Sequence, residues 1–360
     1  MAESMPEFLV IGGGAVGLST ATALLQEGWR VTVVERQLVG REASWAGGGI
    51  LSPLCPWDYP EEVARLAGRG AALFAGWAQE LHETTGVDTE YEQSGMLVLP
   101  PCDAAGAQQW CAGHDVPLQQ VSAADCEVQT SGEALLLPQV AQVRNPRLLR
   151  AMRNRVEMLG GHVAENCAVQ EIMTTGGRVS GLRTACGEFV ADSYVITAGA
   201  WSREVLGPYA LHFDLKPVRG QILLFKFAQR PLQHIVLQED LYLIPRRDGH
   251  LLVGSTLEDV GFDKRTTMEA REELQRRAQI LLPRLRDMPV VQQWAGLRPG
   301  SPHNIPTIGR HPHLENLFLN SGHFRYGVTM APASAEILLN QMTGSPQPFD
   351  VTPYLAGWGN

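Results

Sequence analysis

FLVIGGGAVGL, residues 8–18, carries the pattern G-x-G-x-x-G at Gly12, Gly14 and Gly17. The apolar run before it reads as a strand, LSTATALLQEG (18–28) as a helix, and WRVTVVE (29–35) as a second strand, which together make a βαβ unit. In such a unit the first glycine lets the chain turn and the second lets backbone approach a pyrophosphate. The third lets helix and strand pack closely. Ala15 and Val16 lie in the glycine turn that leads into the helix, whose free N–H groups and partial positive charge suit phosphate. Glu35 closes the second strand, where a carboxylate accepts both hydroxyls of an adenosine ribose and repels a ribose phosphate, with Arg36 beside it. A bound dinucleotide other than NADP is expected; FAD and NAD both fit this segment.

The 360 residues are 44% hydrophobic and 19% charged, ordinary for a globular chain of about two domains. A net charge of -9 supplies no basic field for nucleic acid. The first apolar run follows Glu3 and Glu7 and is broken by glycines, so it reads as neither signal peptide nor membrane span, and no later run is long enough to span. A cytoplasmic protein without a membrane partner is expected. The six cysteines lack any C-x-x-C pair and read as reduced, mostly buried thiols. Composition leaves monomer and homo-oligomer open.

Further along, Glu61 to Gly86 reads as helix and YEQSGMLVLP (91–100) as strand, while residues 100–140 show no strong periodicity. Asn145-Pro146 reads as a helix cap with proline at the first helical position, and that helix ends at Gly160-Gly161. Residues 168–199 form a β-meander with turns at Gly176-Gly177 and Cys186-Gly187. Hairpin strands surround Arg247-Asp248-Gly249. A helix over 268–286, strands over 289–300 and 316–324, and a C-terminal helix complete the chain. Alternation between βαβ and antiparallel patterns predicts two interleaved domains of an α/β plus α+β fold, one of them Rossmann-like.

Two further glycine regions favour FAD. In GREASWAGGGIL (40–51), Ser44 offers a hydroxyl, while Ala43, Gly47, Gly48, Gly49 and Ile50 form a loop whose backbone can lie flat against a large group. In VITAGAWS (195–202), Ala198 and Gly199 make a second small-residue turn near the phosphates. Two such contacts suit a permanently held cofactor.

These segments, with WAGLRPG (294–300) and GHFRYGVTMAPA (322–333), resemble the FAD-dependent D-amino acid oxidase family, and within it the glycine-oxidising branch associated with thiamine biosynthesis. The likeness runs over nearly the whole chain and is weakest between 100 and 140. It implies an FAD domain from residues 1–84, 140–212 and 296–360, and a substrate domain on a large antiparallel sheet from 85–139 and 213–295. It also implies a carboxylate site of Arg298, Arg325 and Tyr242, an adenine contact at Val169, and a flavin-wrapping segment of His323, Phe324, Arg325, Tyr326, Gly327, Val328 and Thr329. The covalent-flavin cysteine of a sister branch is missing from GLRPGSPHNIPTIG, so FAD is expected to be noncovalent. Asp240 and Leu257 depart from the branch at positions where they could line the pocket.

The residues support the same site on their own terms. Arg298 follows an apolar strand, where its planar fork is fixed for bidentate carboxylate binding, which lysine cannot copy. Alternation in LYLIP places Tyr242 and Ile244 on one face and Leu241 and Leu243 on the other. Arg325 stands just before the last helix, able to add a second cation. The implied reaction removes hydride from a neutral small amine to FAD, with imine hydrolysis and dioxygen reduction to peroxide following. Glycine, sarcosine and D-alanine are the expected substrates. No acid or base residue is assigned, His323 reads as structural, and no metal is expected, because His311-Pro-His313 lacks further ligands. Rival readings are a quinone-linked FAD dehydrogenase, an NAD-dependent dehydrogenase and a non-catalytic nucleotide sensor.

Overall fold

The structure, a computed structural model, describes residues 5–355. A six-stranded sheet runs in the order Thr307–Arg310, Leu317–Ser321, Ser193–Ile196, Phe8–Ile11, Val31–Val34, His162–Ala164. All neighbours are parallel except the first pair. FLVI and VTVV are buried along their whole length, the continuous apolar run that a parallel strand covered on both faces requires. Ile11 pairs with both Val34 and Ile196. Gly12, Glu35 and Thr197 therefore leave the sheet side by side at its carboxyl edge, the edge on which open α/β sheets bind ligands.

The second sheet has eight strands, in the order Gln292–Gly300, Lys216–Lys226, His250–Gly254, Leu241–Pro245, Ile235–Gln238, Met96–Leu99, Ala134–Leu137, Gln119–Val121. It is antiparallel apart from the pairing of Ile235–Gln238 with Met96–Leu99. The stretch that showed no periodicity thus contributes a helix, Ala104–Gly113, the edge strand Gln119–Val121 and its neighbour Ala134–Leu137. Tyr242 and Ile244 join one core cluster while Leu241 and Leu243 join another across the sheet, as alternation requires. A three-stranded sheet over 169–189 flanks the first sheet.

The strands of the parallel sheet fall within 1–84, 140–212 and 296–360, but Gln292–Gly300 crosses residue 296 and stays paired with Lys216–Lys226 to its end. Three expectations need correction. Cys167 and Cys186 form a disulfide instead of remaining thiols, because the hairpin Val169–Thr184 brings their Cα atoms to 5.2 Å; Cys55, Cys102, Cys111 and Cys126 are free. The cap before Pro146 is Arg144, and Asn145 is already inside the helix, its side chain turned elsewhere. The helix from Met268 stops at Leu281, and Pro283 opens a separate 3-10 turn because proline cannot continue the ladder.

Candidate active site

One cavity runs from the carboxyl edge of the parallel sheet to the face of the antiparallel sheet. At its first end Gly12 has φ +114°, and a Cβ there would lie 2.5 Å from the Thr197 carbonyl, so only glycine permits the turn. The Glu35 carboxylate is buried and held from two sides, Oε2 accepting from Gly13 N at 2.8 Å and Oε1 from Gln37 N at 3.0 Å. Ser44 Oγ accepts from Ala15 N at 3.0 Å, which joins the glycine loop to the first turn of the helix. The Arg36 guanidinium lies 3.5 Å above the Trp201 ring and pairs with Glu42.

The loop Gly47–Gly49 forms the middle of the wall. Asn145 Nδ2 donates to Ser44 O at 2.6 Å, and Arg246 Nη2 donates to Gly48 O at 2.7 Å. A Cβ on Gly48 would lie 2.5 Å from Ile244 Cδ1, and one on Gly49 would lie 2.1 Å from the Val143 carbonyl. This is backbone pressed between the strand Leu241–Pro245 and the segment 143–145, with no room for side chains. Opposite, the helix Gly327–Thr343 opens with its first i→i−4 bond at Met330 N to Tyr326 O, 2.9 Å. The N–H groups of residues 327–329 precede that bond and have no partner within the helix.

At the second end stand Tyr242, Arg298 and Arg325. Arg298 Nη2 donates to Ser255 Oγ at 2.6 Å and Nη1 to Thr256 O at 3.1 Å. Among the described residues no carboxylate lies within ion-pair distance of Arg298 or Arg325, and the Arg325 side chain makes no hydrogen bond. Burial pushes the Arg298 guanidinium below its ordinary pKa; Tyr242 opposes the shift and the Arg325 charge adds to it. Burial pushes His323 down to about 3, so it is neutral, and its Nε2 meets Ser334 Oγ at 2.8 Å.

Every expected site residue lines this cavity except Gly17, which packs where a Cβ would lie 1.9 Å from the Gly12 carbonyl. Asp240 does not: it is exposed and pairs with Arg277 at 2.7 Å. Leu257 is 54% exposed and also stands outside the lining. Four contributors were not anticipated. Asn145, Asn320 and Trp201 line the cavity, and Arg246 supports it from behind. A polar residue directly before Pro146 was a visible signal for Asn145. For Arg246, within a hairpin-like IPRRDG, there was none.

The profile of the FAD dependent oxidoreductase family (DAO) matches residues 7–341. The chain belongs to this family. Among curated relatives, the glycine oxidase of Pseudomonas aeruginosa is 44% identical over 96% of this chain and 97% of its own. The bifunctional protein ThiO/ThiG of Trichormus variabilis is 31% identical over 92% of this chain and 52% of its own. The crystal structure of glycine oxidase from Geobacillus kaustophilus superposes with a TM-score of 0.91 at 26% identity, covering 97% of this chain and 98% of the other. This flavoenzyme takes FAD as its cofactor. The residues present fit that group: Gly12 at φ +114° and the close-packed Gly48 and Gly49 present bare backbone to the cavity, with the first helical turn at Ala15 and the buried carboxylate of Glu35 beside them.

Proposed function

We propose that the chain oxidises glycine and small amines such as sarcosine and D-alanine, giving the imine, which hydrolyses to glyoxylate or the oxo acid. The carrying observation is the pair of guanidiniums, Arg298 and Arg325, beside Tyr242 in the cavity with no carboxylate of the chain to balance them. Two uncompensated cations lining one cavity call for an anionic ligand, and a planar fork fits a carboxylate. The similarity to glycine oxidases over nearly the full chain supports the same reading.

In this reading Gly12, Gly14, Ala15 and Val16 hold the pyrophosphate, Glu35 the adenosine ribose, Val169 the adenine, and the loops 47–50 and 323–329 the ring system. When bound, FAD supplies the acceptor for hydride from the α-carbon and a route to dioxygen, with hydrogen peroxide as product. The chain's own residues supply geometry: Arg298 grips one carboxylate edge, Arg325 neutralises the rest, and Tyr242 donates its hydroxyl. This fixes the amine and α-carbon against the Gly48 side of the cavity in a near-attack position. His323, neutral and tied to Ser334, takes no part in proton transfer. The FAD is noncovalent and the enzyme cytoplasmic. The kinship with a ThiO/ThiG protein supports a role in supplying imine for the thiazole of thiamine.

The test is peroxide release from glycine, sarcosine, D-alanine, L-alanine and ethylamine at equal concentration. Glycine and sarcosine should lead, D-alanine follow, and L-alanine stay inert. An L-residue must exchange side chain and hydrogen, which turns the hydride away. L-alanine outpacing glycine refutes the reading, and dye reduction without peroxide points to the quinone-linked alternative.

A further inference from the structure

Arg246 is 4% exposed, and no carboxylate of the described residues lies within ion-pair distance of it. Burial pushes its guanidinium down to about 10. Its side-chain bonds join the glycine loop to the segment behind it: Nη1 donates to Gln142 Oε1 and to Val143 O, both at 2.8 Å, and Nη2 to Gly48 O at 2.7 Å. A buried cation with no carboxylate in contact is costly to keep, even with the charges of Glu90, Asp248 and Glu92 nearby, and breaking its contacts is costlier still.

The other face of the same peptide carries a matching liability. Among the described residues only Pro100-Pro101 and Gly254-Ser255 are cis, so the Gly48–Gly49 peptide is trans and its N–H points opposite to its carbonyl. With Gly48 O drawn to Arg246, Gly49 N–H is aimed away from Arg246, on the side where Gly48 and Gly49 line the cavity. Gly49 is buried, its carbonyl accepts from Val143 N at 2.9 Å, yet its N–H finds no acceptor in the described chain. A buried backbone donor left unpaired costs as much as a lost hydrogen bond. The place is the reacting end, since a Cβ on Gly48 would lie 3.4 Å from the Tyr242 ring.

We propose that Arg246 is a positioning residue for the cofactor: by holding Gly48 O it fixes the Gly48–Gly49 peptide so that Gly49 N–H donates to the bound flavin ring. Nothing smaller replaces it, because only a planar fork reaches Gly48, Val143 and Gln142 together. The inference rests on the flavoenzyme reading; a wild-type protein that binds no FAD counts against that reading and not against Arg246.

Two measurements test it. In wild-type protein, hydrogen exchange at the Gly49 amide should be fast in the apoprotein, while Val143 N–H stays protected, and should slow at least about tenfold with FAD. A Gly49 amide equally slow in both forms overturns the proposal. In Arg246→Lys, the visible spectrum of bound FAD should shift, its midpoint potential fall and its dissociation constant rise about tenfold, the loss of one bond to a polarised donor. A variant with a lowered melting temperature but wild-type spectrum, potential and affinity would show a merely structural role and also overturn it. Should Arg246→Lys not fold, the exchange measurement alone decides.

Discussion

Arg298 Nη2 lies 2.6 Å from Ser255 Oγ, and a Cβ on Gly220 would fall 2.1 Å from Arg298 Nη1, so the guanidinium is clamped on one side and given space on the other. Clamping matters because a fork that is already oriented loses less entropy on gripping a carboxylate. Arg298→Lys should keep the fold and FAD but lose about 2 to 5 kcal/mol of substrate binding, roughly a hundredfold or more in apparent glycine affinity. Ser255→Ala should cost roughly tenfold or less, since Thr256 O still holds the other nitrogen. Steady-state kinetics within threefold of wild type for Arg298→Lys would remove Arg298 from the site.

Glu35 does two jobs, bracing Gly13 and Gln37 through their N–H groups and presenting its remaining lone pairs to the cavity. Glu35→Ala should therefore release FAD more readily, by roughly 1.5 to 3 kcal/mol for each ribose bond lost. Fluorescence of released flavin against protein concentration reads this directly. Denatured wild type should release all its FAD; yellow colour left in the precipitate would mean a covalent bond.

How much of this was legible depended on range. The turn at Gly12, the helix at Ala15 and the acid at Glu35 lie within one βαβ unit, where spacing alone dictates who meets whom. Arg298 and Arg325 were legible through their motifs, but their lack of counter-charge was not, because it depends on where every carboxylate ends up. The pairing of Cys167 with Cys186 was missed because hairpin register, not spacing, decides it. Asp240 was placed too near the chemistry: it lies just before a strand whose alternation was right, but Arg277 on a distant helix draws it to the surface. Arg246 shows the limit most plainly, since its three acceptors, at Gly48, Gln142 and Val143, lie about a hundred or more residues away.

His323 offers a pH test. Its folded pKa is pushed down to about 3 by burial, below the 6.5 of an exposed imidazole, so below pH 6.5 the unfolded chain binds a proton that the folded chain refuses. The folded state is then destabilised as pH falls from 6.5 toward 3, by at most about 1.4 kcal/mol per pH unit from this group. His323→Gln keeps a neutral partner for Ser334 and should flatten that part of the profile. Urea unfolding at pH 7 and pH 5 checks it; equal losses in variant and wild type would assign the acid sensitivity elsewhere.

Arg325 can be separated from general damage to the cavity by changing the substrate instead of the protein. It makes no hydrogen bond or ion pair within the described chain, so its removal leaves no broken polar partner behind. If its task is to balance a carboxylate, Arg325→Ala should slow glycine turnover by about 2 to 5 kcal/mol of lost charge pairing. Ethylamine has no carboxylate, so the same variant should treat it within a fewfold of wild type. The ratio of glycine to ethylamine activity should therefore collapse in Arg325→Ala and in Arg298→Lys alike. In the double variant the losses should fall short of their sum, because both cations meet one group. Equal loss on both amines would instead place Arg325 beside the flavin as a support for the ring, with the carboxylate held by Arg298 and Tyr242 alone.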